Sequence, residues 1–159
     1  MITENGFKLK AEAPIGVFDS GVGGLTVARE IMRQMPNEKI IYFGDTARVP
    51  YGAKSKETVT RFSKQIVRFL KTFDVKTIVV ACNTASAYAL EDLEKECDIP
   101  IIGVVEPAAK VATEVTRNGK IGVIATEATI SSHIYNEYIT EINKDVTIYG
   151  KACPLFVPL

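Results

Sequence analysis

Histidine occurs once and cysteine three times in these 159 residues. Cys82, Cys97 and Cys153 are odd in number and irregularly spaced, which argues against a disulfide framework and suits a reducing, cytoplasmic setting. With His133 they make no zinc-ligand pattern, so no metal is expected. An excess of one charge is missing too. The 19 basic residues balance the 19 acidic ones, and nothing marks a nucleic-acid partner or a charged interaction tail. The longest apolar runs are of strand length, far short of the roughly 18 residues that span a membrane. Met1 to Ala13 is polar, with neither an apolar h-region nor a small-residue cleavage site, so a loosely ordered extension over residues 1–13 is expected in place of a secretory signal. Neither the dinucleotide pattern G-x-G-x-x-G nor the phosphate loop G-x-x-x-x-G-K-[ST] is present.

What is present is a regular alternation. Apolar residues make up 47% of the chain, enough for a core of ordinary size. Ile15 to Phe18 reads as a strand, and Leu25 to Met32 as a helix with Leu25, Ala28, Ile31 and Met32 on one face. Lys39 to Phe43 is a second strand. A helix from about Ser55 to Phe73 is expected to bury Val59, Phe62, Ile66, Phe69, Leu70 and Phe73, with Lys56, Arg61, Lys64, Arg68 and Lys71 on its solvated side. Strands follow at Thr77 to Val80, Ile101 to Val105, Lys120 to Ala125 and Val146 to Gly150. Between them lie helices from Ala85, from Ala108 to Thr116, and from Ser132 to Ile142. Alternating strand and helix predicts an α/β fold of right-handed βαβ units with parallel sheets.

The stretch Thr77-Ile78-Val79-Val80-Ala81-Cys82-Asn83-Thr84-Ala85 runs from a buried strand through a tight turn into a helix. Ligands of open α/β sheets bind at such carboxyl ends of strands. A thiol there lies close to unpaired helix N–H groups, which favours the thiolate. Read alone, Cys82 is equally a small core residue closing a strand. Four further loops bring chemistry to the same end of the sheet. Asp19-Ser20-Gly21-Val22-Gly23-Gly24 lets backbone approach a ligand, or caps a helix over a tight turn. Pro50-Tyr51-Gly52 offers the Tyr51 hydroxyl or a backbone N–H, or is only a turn. Glu106 before Pro107 is a carboxylate at a strand end, either facing the cleft or solvated. Thr126 and Thr129 either cap a helix or bind carboxylates. His133 reads as a surface residue and Cys97 as inert; Cys153 faces either the core or the cleft, with the core preferred.

In this order and spacing the motifs resemble the cofactor-independent glutamate racemases. They are F-D-S-G-V-G-G (Phe18 to Gly24), G-D (Gly44, Asp45), P-Y-G (Pro50 to Gly52), A-C-N-T-A-S-A (Ala81 to Ala87), G-V-V-E-P (Gly103 to Pro107), I-G-V-I-A-T-x-A-T (Ile121 to Thr129) and C-P-L-F-V-P-L (Cys153 to Leu159). The resemblance implies that Cys82 is one of two catalytic cysteines, with Asp19 beside it assisting proton traffic. It implies that Asp19, Ser20, Pro50, Tyr51, Gly52, Cys82, Asn83, Thr84, Thr126 and Thr129 hold the amino acid. It also implies no cofactor, a role supplying D-glutamate for peptidoglycan, and two similar α/β domains around a cleft. A homodimer of the complete chain is compatible with it.

One departure stands out. The family's second cysteine lies in a G-C-T-H motif, which this sequence lacks, and Cys153 is not its counterpart. Leu155 to Leu159 is apolar and uncapped. The expectation is a truncated chain: an extension at 1–13, a first α/β domain at 14–105 without its return, and part of a second at 106–159. Such a fragment should not racemise glutamate alone, because one thiol abstracts the α-proton while an opposing thiol donates another. Two other readings remain open: a racemase or isomerase for aspartate or another small acid, and a non-catalytic small-acid-binding module with a flavodoxin-like sheet.

Overall fold

The computed structural model describes residues 11–157. Most of the extension expected at 1–13, and Pro158 and Leu159 of the terminal motif, lie outside the described residues. Six strands and six helices follow one another: β1 (Ile15–Asp19), α1 (Leu25–Gln34), β2 (Ile40–Gly44), α2 (Lys56–Lys71), β3 (Thr77–Val80), α3 (Asn83–Glu96), β4 (Ile101–Gly103), α4 (Val105–Val115), β5 (Lys120–Ala125), α5 (Glu127–Ser131), α6 (Ile134–Ile142) and β6 (Thr147–Ala152). Short 3-10 turns cover Tyr51–Ala53 and Pro154–Phe156. The strands form two parallel sheets, one ordered β2-β1-β3-β4 and one of β5 with β6. The α/β class with parallel sheets is therefore as expected.

The period-2 geometry of strands sorts the first sheet's side chains between two cores. Phe18, Ile78 and Val80 point to the side covered by α2 and α3, where they meet Val59, Ile66, Leu70, Ala85, Ala89 and Leu93. Ile15, Val17 and Ala81 point the other way, against Ala28 of α1. Both faces are covered, which is why β1 and β3 read as continuous apolar runs and not as alternating ones. In register, Phe18 lies between Phe43 and Val80, so the carboxyl ends of β1, β2 and β3 open at one level.

Several boundaries differ from expectation. In α2, Val59, Ile66 and Leu70 are buried as predicted, joined by Val67. Phe69 and Phe73 are each 45% exposed. They stack on one another, and Phe69 reaches Phe43 at 5.4 Å between centroids. Phe43 belongs to the edge strand β2, where no further strand extends the sheet beneath them. Leu25 and Met32 of α1 are likewise exposed, and only Ala28 of that face is fully covered.

β4 stops at Gly103 and α4 starts at Val105, so Glu106 and Pro107 sit in a helix's first turn and not at a strand end. Proline is tolerated there because that N–H has no intrahelical acceptor, and a carboxylate is favoured by the helix dipole. The helix expected over Ser132 to Ile142 is α6, beginning at Ile134; a short helix not expected from the sequence, α5, precedes it, and His133 between them adopts a left-handed φ of 57°.

The second sheet is covered on one side. Ile121, Ala109 of α4 and Ile139 of α6 form its core, while Ile124 and Tyr149 are 63% and 58% exposed on the other face.

Candidate active site

The site begins where β1 ends. Asp19, only 6% exposed, turns its Oδ2 back to accept hydrogen bonds from the Gly21 and Gly24 amides at 3.1 and 3.0 Å. This folds the glycine loop around the carboxylate. A Cβ on Gly24 would fall 2.6 Å from Asp19 Cβ and 2.9 Å from Ala81 Cβ, so the loop closes only on glycine. Tyr42 of β2 donates to Gly21 O at 3.2 Å. Burial, with Asp19 and Cys82 nearby, pushes its phenol up to about 12, so it stays a donor.

Cys82 is the N-cap of α3, and its Sγ accepts from the Ala85 amide at 3.4 Å. The thiol donates to Ser20 Oγ, also at 3.4 Å. This placement at a helix terminus is as the sequence suggested, but the electrostatic outcome is reversed. Burial pushes the Cys82 thiol up, and the Asp19 carboxylate adds to that. The hydrogen bonds that Cys82 shares with Ser20 and with the backbone pull the other way without overcoming it. Desolvation of the anion outweighs the helix terminus, so Cys82 rests as a buried thiol, neither an exposed cysteine nor a thiolate.

Tyr51 was expected to offer its hydroxyl, or a backbone N–H, to the cleft. The hydroxyl points inward and donates to Asp45 Oδ2 at 2.5 Å, and burial together with that carboxylate raises its pKa. Arg48 Nε pairs with the same carboxylate at 2.7 Å and its guanidinium lies over the Phe62 ring at 4.2 Å. Asp45, Arg48 and Tyr51 thus anchor the turn from beneath, following the cis Val49–Pro50 peptide. The anchored turn presses Gly52 against Thr126: an added Cβ would meet Thr126 Cβ at 2.5 Å.

Thr126 caps α5 by accepting from the Thr129 amide at 3.3 Å. Its hydroxyl also lies 2.9 Å from Thr84 Oγ1 and 3.0 Å from Thr129 Oγ1. Capping and a polar cleft wall are therefore not alternatives here, since one hydroxyl serves both. The threonine cluster joins α3 to the loop after β5. A second link is Tyr135 of α6, which donates to Asn83 Oδ1 at 2.8 Å.

Between these loops lies a cavity of about 820 Å³. Of the ten residues expected to hold the ligand, Asp19, Ser20, Pro50, Cys82, Asn83, Thr84 and Thr126 line it. Tyr51, Gly52 and Thr129 are not among its lining residues. Val104, Ala108, Tyr135, Phe156 and Val157 add a largely apolar part of the lining. Glu106, His133 and Cys97 are not among the lining residues; Cys153 is half-buried with its Sγ toward Lys151 O. Tyr42 and Tyr135 were not expected at the site, and Asp45 was expected only as part of the G-D motif, without a role. Tyr42 carries the one signal that was readable, a polar-tipped ring near the carboxyl end of a strand. Among the described residues no group of three or more His, Cys, Asp or Glu could hold a metal ion, and no helix is long and apolar enough to cross a membrane.

A parallel α/β chain with a buried thiol and amide and hydroxyl donors around a cavity at its strand ends has the layout in which open α/β sheets bind ligands. Its residues 15–154 match the Asp/Glu/Hydantoin racemase family model, and the chain belongs to that family. It is 60% identical to a glutamate racemase of Geobacter metallireducens over 145 residues, 91% of this chain and 54% of that protein. Among solved structures it is similar to the RacE1 isoform of glutamate racemase from Bacillus anthracis, at 48% identity and a TM-score of 0.91, over 94% of this chain and 56% of that one. The glutamate racemase from Francisella tularensis in complex with D-glutamate is 44% identical with a TM-score of 0.85, over 92% of this chain and 55% of that one. The chain spans about half the length of the relatives it matches.

Proposed function

We propose that, at the full length of its relatives, this protein is a glutamate racemase that interconverts L- and D-glutamate without a cofactor. The observation that carries the reading is the Cys82 thiol between Ser20 and the start of α3, on the wall of a cavity that also presents Asn83, Thr84 and Thr126. The likeness to relatives named glutamate racemase, one of them solved with D-glutamate, supports it. On this reading Cys82 serves one face of the substrate α-carbon. A second thiol, supplied by a part of the protein beyond this sequence, serves the other face.

In one direction the opposing thiolate takes the α-proton, the C–H pair is left on a carbanion, and Cys82 delivers its own proton to the other face. A thiol held protonated by burial suits that donating role. In the reverse direction Cys82 must first lose its proton, and Asp19 is the carboxylate near enough to assist. Ser20, Asn83, Thr84, Thr126 and the Pro50-Tyr51-Gly52 turn hold the ammonium and carboxylates, with Thr129 positioning Thr126. Hydrogen bonds to the reacting carboxylate and exclusion of water lower the cost of the carbanion. Residues 14–105 and 106–157 then belong to two α/β domains flanking the cleft. A cytoplasmic homodimer supplying D-glutamate to peptidoglycan completes the proposal. A chiral assay of the full-length protein on both enantiomers of glutamate and aspartate tests it: glutamate is expected to turn over and aspartate to be poor, and a preference for aspartate would overturn it.

A further inference from the structure

Tyr135 stands outside every motif of the chain, yet its hydroxyl bonds a residue of the site. It donates to Asn83 Oδ1 at 2.8 Å, and both residues line the cavity. Asn83 is the first residue of α3, adjacent to Cys82. A side-chain amide has an acceptor end and a donor end, and the two ends bind ligand groups of opposite charge. A phenol donates more readily than it accepts, so it engages the carbonyl end and leaves the NH₂ end for the cavity. Burial raises the Tyr135 pKa, which keeps the hydroxyl a donor at neutral pH.

The ring itself is well fixed. It packs against the cluster of Ala109, Ile121 and Ile139. The left-handed backbone at His133, with Ser132 Oγ accepting from the Ile134 amide at 3.3 Å, sets where α6 starts.

We propose that Tyr135 is a positioning residue that holds the Asn83 amide with its NH₂ toward a bound carboxylate, so that this end of the site takes an anionic group. The inference rests on the reading of the cavity as an amino-acid site. It adds that one of that site's donors is oriented from α6, and only while α3 and α6 stand together.

The test is Tyr135→Phe in the full-length protein, which keeps the packed ring and removes one hydrogen bond. KM for glutamate is expected to rise roughly three- to tenfold, the range of a single hydrogen bond, with kcat within about twofold. The same substitution in an Asn83→Ala background should change D-glutamate affinity less than twofold. That affinity is read by protection of Cys82 from alkylation, so it needs no turnover. A KM within twofold of the wild type, or an equal loss in the Asn83→Ala background, overturns the inference. Failure of the wild-type protein to turn over glutamate would instead count against the function.

Discussion

The two sheets obey the same βαβ rules and differ in how much covers them. The four-stranded sheet has helices on both faces, with Phe18, Ile78 and Val80 fully buried on one side and Val17 on the other. The β5–β6 sheet has a core on one face and leaves Ile124 and Tyr149 to solvent on the other. The catalytic candidate Cys82 grows from the first sheet, and the second brings Thr126 and Tyr135 to meet its helix. A sheet covered on both faces carries the thiol, and a less covered unit packs against the helix that follows it. Burial that stabilises the first sheet is also what pushes the Cys82 thiol up.

This contrast can be broken at graded positions. Phe18→Ala removes a fully buried ring from the first sheet and should cost about 3–5 kcal/mol in urea unfolding. A loss under 1 kcal/mol would mean that the sheet is less tightly packed than described. Gly52→Ala strikes the contact between the two units, because its Cβ would meet Thr126 within 2.5 Å. We expect about 1–3 kcal/mol from the forced separation, and the mutant should expose Cys82 to alkylation more readily. Ile124→Ala, on the open face of the second sheet, should stay within about 0.5 kcal/mol. A large effect there would show that this face is covered in solution.

The thiol gives a pH test with a definite sign. Because its folded pKa is raised, Cys82 holds its proton to higher pH than a small peptide thiol of pKa near 8.5. Its iodoacetamide rate should therefore lag that reference at pH 7 and keep rising after the reference has levelled. Faster labelling of Cys82 than of the reference at neutral pH would mean that the helix terminus prevails over burial.

The alternation of strands and helices was legible because each strand of the first sheet is a short β-branched run ending in small or polar residues. Cys82, Asp19 and Thr126 were legible by position, at carboxyl ends of strands. The sign of the thiol's shift was not, since the dipole of α3 is local but desolvation comes from residues distant in sequence. Phe69 and Phe73 fit a helical stripe, and nothing local says that β2 beneath them is an edge. The direction of Tyr51 depended on Asp45, six residues earlier, and Tyr135 depended on a left-handed His133 that no residue type announces.

In the proposed reaction the Cys82 sulfur exchanges a proton with the substrate. Cys82→Ser in the full-length protein, assayed from both D- and L-glutamate with its thermal melt recorded alongside, tests it most directly. An unchanged melt and a loss of turnover of roughly 10²- to 10⁴-fold in both directions are expected. Turnover within tenfold of the wild type would contradict it.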